Sequence, residues 1–189
     1  MEEQYQKFIN YSMWVTLAMF ILRCLISGLD PFNTFSFHGL LGYAADAIAV
    51  SSAIMVLYEK FIWRYNRFDD TPRLCEYYQG KLISTYKEEM MEIDASLEIK
   101  QTFLTVNVIL KTNESKSKSI NASILKINNE WSLIYNYINE PKATVRDRSN
   151  IHYGTTILCI ENTNKIEGNY YTDRKTTGTL EFVSKTKEK

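Results

Sequence analysis

Two long apolar runs open the chain, and a longer stretch of alternating apolar and polar positions follows. The first run, Phe8 to Leu29, reads FINYSMWVTLAMFILRCLISGL; the second, Phe37 to Phe61, reads FHGLLGYAADAIAVSSAIMVLYEKF. From His38 to Tyr58 the only side chain charged at neutral pH is Asp46. A run of roughly 20 apolar residues can cross the hydrocarbon of a bilayer as one helix. The pattern predicts two transmembrane helices, about 8–29 and 37–61, within a hairpin spanning residues 1–63. Their connection is the turn Asp30–Ser36, where Asp30-Pro31 stops the first helix. A secretory signal has a basic start, whereas MEEQYQK holds two Glu and one Lys, and no A-x-A-like cleavage site follows.

Residues 64–73, RYNRFDDTPR, form a charged linker. From residue 74 to 189 the period becomes two, the spacing of half-buried strands. Eight strands are expected: Leu74–Tyr86, Glu92–Lys100, Phe103–Thr112, Ser119–Asn128, Trp131–Asn139, Ile151–Glu161, Lys165–Asp173 and Thr177–Lys185. Asn113 to Lys118 is expected as a loop, Asn128-Asn129-Glu130 as a tight turn, and Glu140–Asn150 as the one long connection. Regular short strands joined by tight turns predict an all-β domain, an eight-stranded antiparallel up-and-down, lipocalin-like barrel. Closure of such a barrel also removes edge strands.

Charge and composition narrow the function. Lys+Arg and Asp+Glu are both 22, so the net charge is zero. A general DNA or RNA binder usually carries a basic excess, so no nucleic-acid polymer is expected as partner. The three cysteines, Cys24, Cys75 and Cys159, have neither disulfide-framework nor metal spacing. No HExxH, Walker, GxSxG or GxGxxG motif occurs. His38 and His152 have no motif partner, and His152 reads as structural or surface. Neither enzyme chemistry, nor metal, nor cofactor is expected; a binding or effector role is.

The turn between the helices carries no Lys or Arg, whereas Lys60, Arg64, Arg67 and Arg73 follow the second helix. The positive-inside rule then places both termini in the cytoplasm, and Trp63 and Tyr65 fit an interfacial aromatic belt. Arg23 and Asp46 come to similar depth in the hairpin, so an ion pair between helices is one reading. Assembly with other copies through the small residues around Asp46 is the other.

The binding candidates are aromatic and basic. Trp131, Tyr135, Tyr137, Tyr153, Tyr170 and Tyr171 offer stacking faces; Arg174, Lys175, Arg146 and Arg148 offer charge near strand ends or loops. Bases stack on aromatics at about 1–3 kcal/mol each, and Arg pairs phosphate bidentately. An apolar ligand such as a lipid is the alternative for a lipocalin-like barrel. Thr105, Asn107 and Thr155, on possible inward faces, count against it.

Three segments carry a family resemblance: Pro72–Gly80 (PRLCEYYQG), Trp131–Pro141 (WSLIYNYINEP) and Gly168–Phe182 (GNYYTDRKTTGTLEF). With the hairpin–linker–barrel order, the chain resembles the CD-NTase-associated two-transmembrane, β-strand-rich effectors of bacterial CBASS anti-phage systems. The family's usual aromatic in the first domain strand corresponds to Tyr78. The resemblance implies a barrel that binds a cyclic dinucleotide, self-association in the bacterial inner membrane, and disruption of that bilayer by the hairpins. Growth arrest or death of the infected cell, abortive infection, would follow.

Overall fold

The computed structural model describes residues 2–27, 37–85 and 91–185. They form two compact units: residues 1–67 with 102–104, and residues 68–101 with 105–189.

The first unit is built on α1 (Glu2–Ile26) and α2 (Phe37–Lys60). α1 begins six residues before the apolar run, because Glu3 and Lys7 pair one turn apart at 3.2 Å and carry the helix through polar sequence. It ends where the Ser27 hydroxyl donates to the carbonyls of Arg23 and Cys24, both at 3.0 Å. The expected turn Asp30–Ser36 lies outside the described residues. Both helices are long and apolar enough to cross a membrane.

Polar bonds stitch the α1–α2 seam at two levels. The Thr16 hydroxyl donates to Ser51 Oγ at 2.8 Å, and Arg23 Nε donates to Asp46 Oδ2 at 3.1 Å. The Arg23 guanidinium also lies over the Tyr43 ring, 5.1 Å from its centroid. Buried Ala47 and Ser51 let the helices approach closely. After α2 a short 3-10 turn, Ile62–Tyr65, carries Trp63 into the interior of this unit, fully buried, while Tyr65 points out. Trp63 thus departs from the expected interfacial belt: its ring packs against Phe103 at 6.2 Å.

The second unit is a closed barrel of eight antiparallel strands in sequence order. They are β1 (Tyr77–Ser84), β2 (Met91–Gln101), β3 (Val106–Thr112), β4 (Ser115–Ile127), β5 (Glu130–Pro141), β6 (His152–Asn162), β7 (Lys165–Thr172) and β8 (Thr177–Ser184). The expected loop 113–118 is a turn of two residues, and β4 starts at Ser115. Its polar text hides a strand because Ser117 faces inward and donates to Asn139 Oδ1 at 2.9 Å. Asn128 and Asn129 take φ of 49° and 69°, the left-handed values that a two-residue hairpin turn requires.

Alternation fills the interior with Leu97, Ile99, Val108, Leu133, Leu158, Ile166, Leu180 and Phe182, all nearly inaccessible. Burial of this apolar area drives closure. Tyr78 is fully buried among them, its hydroxyl accepting from the Cys75 N–H at 3.0 Å and donating to the Thr163 carbonyl at 2.7 Å. Thr105, Asn107 and Thr155 do not line the interior; Val106 and Val108 on β3 and Thr156 on β6 take the inward positions, so their neighbours face out.

Candidate functional site

The up-and-down order sorts the connections between two rims. Turns 113–114 and 173–176 and the connection 142–151 follow odd-numbered strands and share one rim, here the long-loop rim. Turns 128–129 and 163–164 belong to the opposite, short-turn rim. Arg146, Arg148 and Arg174 are therefore brought to the same rim although 28 residues separate the first from the last.

The connection 142–151 is held in place by its own arginines. Arg146 Nε donates to the Pro141 carbonyl at 3.4 Å, and Arg148 pairs with Glu114 in the neighbouring turn. Arg174 Nη1 donates to Ser149 Oγ at 3.3 Å, tying the β7–β8 turn to the long connection. The turn places Arg174 there through Lys175, whose φ is 61°.

Below the arginines the interior is aromatic and polar. Tyr135, Tyr137 and Tyr170 point inward and are buried. The Tyr135 and Tyr137 rings meet at 5.9 Å, tilted by 50°. Two glycines make room for the rings beneath the rim. A Cβ at Gly154 would stand 2.4 Å from Tyr137 Cζ and Oη, and one at Gly178 would stand 2.6 Å from Tyr170 Cε1. Ser84, Ser117, Asn139, His152 and Thr172 add buried polar groups at the strand ends of the same rim. His152 Nδ1–H donates to the Asn150 carbonyl at 3.0 Å.

The electrostatics converge on Arg174. Burial pushes the Tyr137 phenol well up, with Tyr135 and Tyr170 adding to the rise and Arg174 opposing it. Burial likewise raises Tyr170, against a hydrogen bond with Ser84 and the charge of Arg174. Burial lowers His152; Asn150 acts against this and Arg174 acts with it. Tyr135 is pushed up to about 12 by burial, moderated by Thr156, its register partner on β6. Its hydroxyl is fully enclosed and makes no hydrogen bond of good geometry. A buried polar atom in that state usually awaits a water or a ligand group.

Three of the sequence candidates lie elsewhere. Trp131 is the second residue of β5 and so belongs to the short-turn rim, where Lys126 Nζ lies 5.6 Å from its ring. Tyr171 follows buried Tyr170 and Tyr153 follows buried His152, so both face outward, about half exposed. Ser117, Asn139 and His152 join the site instead. Tyr137 keeps the parity of Tyr135, as strand alternation predicts; the short polar residues carry no such signal.

Among the described residues no group of three or more His, Cys, Asp or Glu is arranged to hold a metal. The arrangement offers flat faces, hydroxyl and amide groups, and a cationic rim. Such a set suits heteroaromatic rings joined through phosphodiesters.

Comparison with known proteins agrees with this chemistry. Residues 70–184 match the family model described as Cap15, cyclic dinucleotide receptor domain. The chain is also 32% identical over 183 residues to CD-NTase-associated protein 15 of Staphylococcus schleiferi, covering 95% of this chain and 97% of that protein. Hairpin, barrel and sequence together show that the chain belongs to the Cap15 family of CD-NTase-associated CBASS effectors, whose barrel is the cyclic dinucleotide receptor domain.

Proposed function

We propose that the barrel binds a cyclic dinucleotide at its long-loop rim and that the bound state assembles copies of the chain in the bacterial inner membrane. Arg174 meets a phosphodiester, Tyr137 and Tyr170 take the bases, and Arg146 and Arg148 close from the long connection. Tyr135 offers its buried hydroxyl from below. The observation that carries this reading is the position of Arg174, bonded to Ser149 of the long connection on the rim next to which Tyr137 and Tyr170 are buried. In this reading the protein is a receptor and effector and catalyses no reaction.

The hairpin is the output. Both termini are cytoplasmic, facing the compartment in which the nucleotide is made, as the basic residues after α2 support. Between the helices runs an apolar groove of about 680 Å³, lined in part by Trp14, Leu17, Phe20, Ala44 and Ala47. A second hairpin can dock there, next to Asp46. The assembled hairpins disrupt the bilayer, and the infected cell stops growing or dies. The nucleotide must bind the assembled state better than the resting one, since equal affinity shifts nothing. The polar layer of Ser117, Asn139 and His152 makes a lipid ligand the weaker reading.

The test is thermal unfolding of the full chain in nanodiscs with c-di-AMP, c-di-GMP, cyclic AMP–GMP, c-di-UMP and a fatty acid. A ligand at 100-fold excess over its Kd stabilises by about 2.7 kcal/mol. Stabilisation by the fatty acid alone would replace this reading with the lipid one.

A further inference from the structure

Residues 102–104, between β2 and β3, belong to the hairpin unit rather than to the barrel. Phe103 is the centre of this excursion. Its side chain is fully enclosed, and its ring lies 5.3 Å from Tyr58, 6.2 Å from Phe8 and Trp63, and 6.3 Å from Tyr11. Phe8 and Tyr11 come from α1, Tyr58 from α2 and Trp63 from the turn after it. The Phe103 N–H donates to the Glu59 carbonyl at 3.0 Å. Carbonyls of the last helical turn have no partner within their own helix, so this bond caps α2 from a segment distant in sequence.

On the barrel side, the strand leading to this segment is anchored. Gln101, the last residue of β2, is buried; it accepts from the Leu74 N–H and donates to the Pro72 carbonyl, both at 2.9 Å. Residues 72–74 lie on the stretch by which the chain first enters the barrel unit. The chain therefore passes between the units after residue 67, after 101 and after 104, and Gln101 ties the entry stretch to the excursion. β2 itself is paired along its length with β1 and β3 in the closed ring, so its end follows any change in strand tilt or twist.

We propose that Phe103 is the coupling residue through which ligand occupancy of the barrel reaches the hairpin. A single tether could swivel without moving either helix. An aromatic side chain lodged between α1, α2 and Trp63, and bonded to the end of α2, passes a displacement of β2 to both helices. The inference rests on the receptor reading of the barrel. It adds that the receptor and output units communicate through the β2–β3 connection.

The experiment uses full-length chain in liposomes, with ligand binding and energy transfer between labelled copies measured on the same samples. The probe is whichever of c-di-AMP, c-di-GMP, cyclic AMP–GMP and c-di-UMP binds the wild type. Ordinary allosteric coupling would shift the association equilibrium roughly 5–150-fold in the wild type. Phe103→Ala should bind the nucleotide as the wild type does while its ratio with and without ligand falls to near one; Tyr65→Ala, at an exposed position of the same unit, should keep the wild-type ratio. Should Phe103→Ala fail to insert or to bind, Phe103→Leu, which keeps the apolar volume but removes the ring contacts, must show a reduced ratio with binding retained. A wild-type ratio in a Phe103 variant that still binds overturns the coupling. Wild-type binding with no change in association overturns it as well. Failure of the wild type to bind any of the four sinks the receptor reading, and the coupling with it.

Discussion

The ring of Tyr137 occupies the space that a side chain at position 154 would need: a Cβ there would lie 2.4 Å from Tyr137 Cζ and Oη. Gly154 on β6 and Tyr137 on β5 are register partners, so the glycine sets the depth at which the aromatic floor sits. Gly154→Ala forces the ring or the strand to shift, a strain of about 1–3 kcal/mol. Thermal unfolding of the full chain in nanodiscs should show that loss, and nucleotide affinity should fall with it. A silent Gly154→Ala would mean that the ring position is not set here.

The buried Ser117–Asn139 bond is the second structural element of the rim. Ser117→Ala removes the donor and leaves the Asn139 side-chain carbonyl buried, a cost of about 1–3 kcal/mol. Chemical denaturation compares it with Ser123→Ala, at a position on the same strand with no bond to Asn139, which should be nearly neutral.

His152 gives the barrel a pH dependence of definite sign. Burial lowers its pKa below the ordinary 6.5, so the folded protein holds it neutral where the unfolded chain begins to protonate. Stability from this group is complete above the unfolded value and is lost as pH falls below 6.5 toward the depressed folded value. Melting temperature measured between neutral and mildly acid pH should drop in the wild type and drop less in His152→Gln. Equal slopes in the two proteins would remove His152 as the cause.

Much of this arrangement was legible from the residues, and the exceptions have physical causes. Strand alternation exposed the barrel because one face of each strand must be apolar. The expected fourth strand is shorter than β4 because its first residues, Ser115 to Lys118, serve a polar rim, where burial does not demand an apolar side chain. Adjacent Tyr170 and Tyr171 look alike in sequence, yet a strand sends them to opposite faces. Trp131 shares its strand with Tyr135 and Tyr137 but sits at the end away from the arginines, which alternation alone does not show. The expected third strand includes Phe103, since nothing local shows that the chain leaves the barrel unit for three residues. The Arg23–Asp46 pair, by contrast, followed from helix rise alone.

That pair predicts a non-additive result. Asp46→Ala leaves Arg23 without its carboxylate in the hairpin, and Arg23→Ala does the reverse; removing both removes the conflict. Polar interactions between membrane helices couple by roughly 0.6–1.7 kcal/mol in double-mutant cycles. Unfolding in mixed micelles should return a coupling in that range, with nucleotide binding unchanged in Asp46→Ala. If Asp46→Ala also keeps full toxicity in cells, Asp46 serves only to neutralise Arg23, and assembly uses another face.

In the proposed receptor, Arg174 at the long-loop rim binds the phosphodiester of a cyclic dinucleotide. The test is isothermal titration of the full chain in nanodiscs with the four cyclic dinucleotides, for wild type, Arg174→Ala and Tyr171→Ala. A hydrogen bond to a charged group contributes about 1.5–3 kcal/mol, so Arg174→Ala should weaken binding roughly 10- to 150-fold. Tyr171→Ala, whose side chain faces outward, should bind as the wild type does. Equal affinity in wild type and Arg174→Ala, or no binding of any of the four by the wild type, would rule out this role for Arg174.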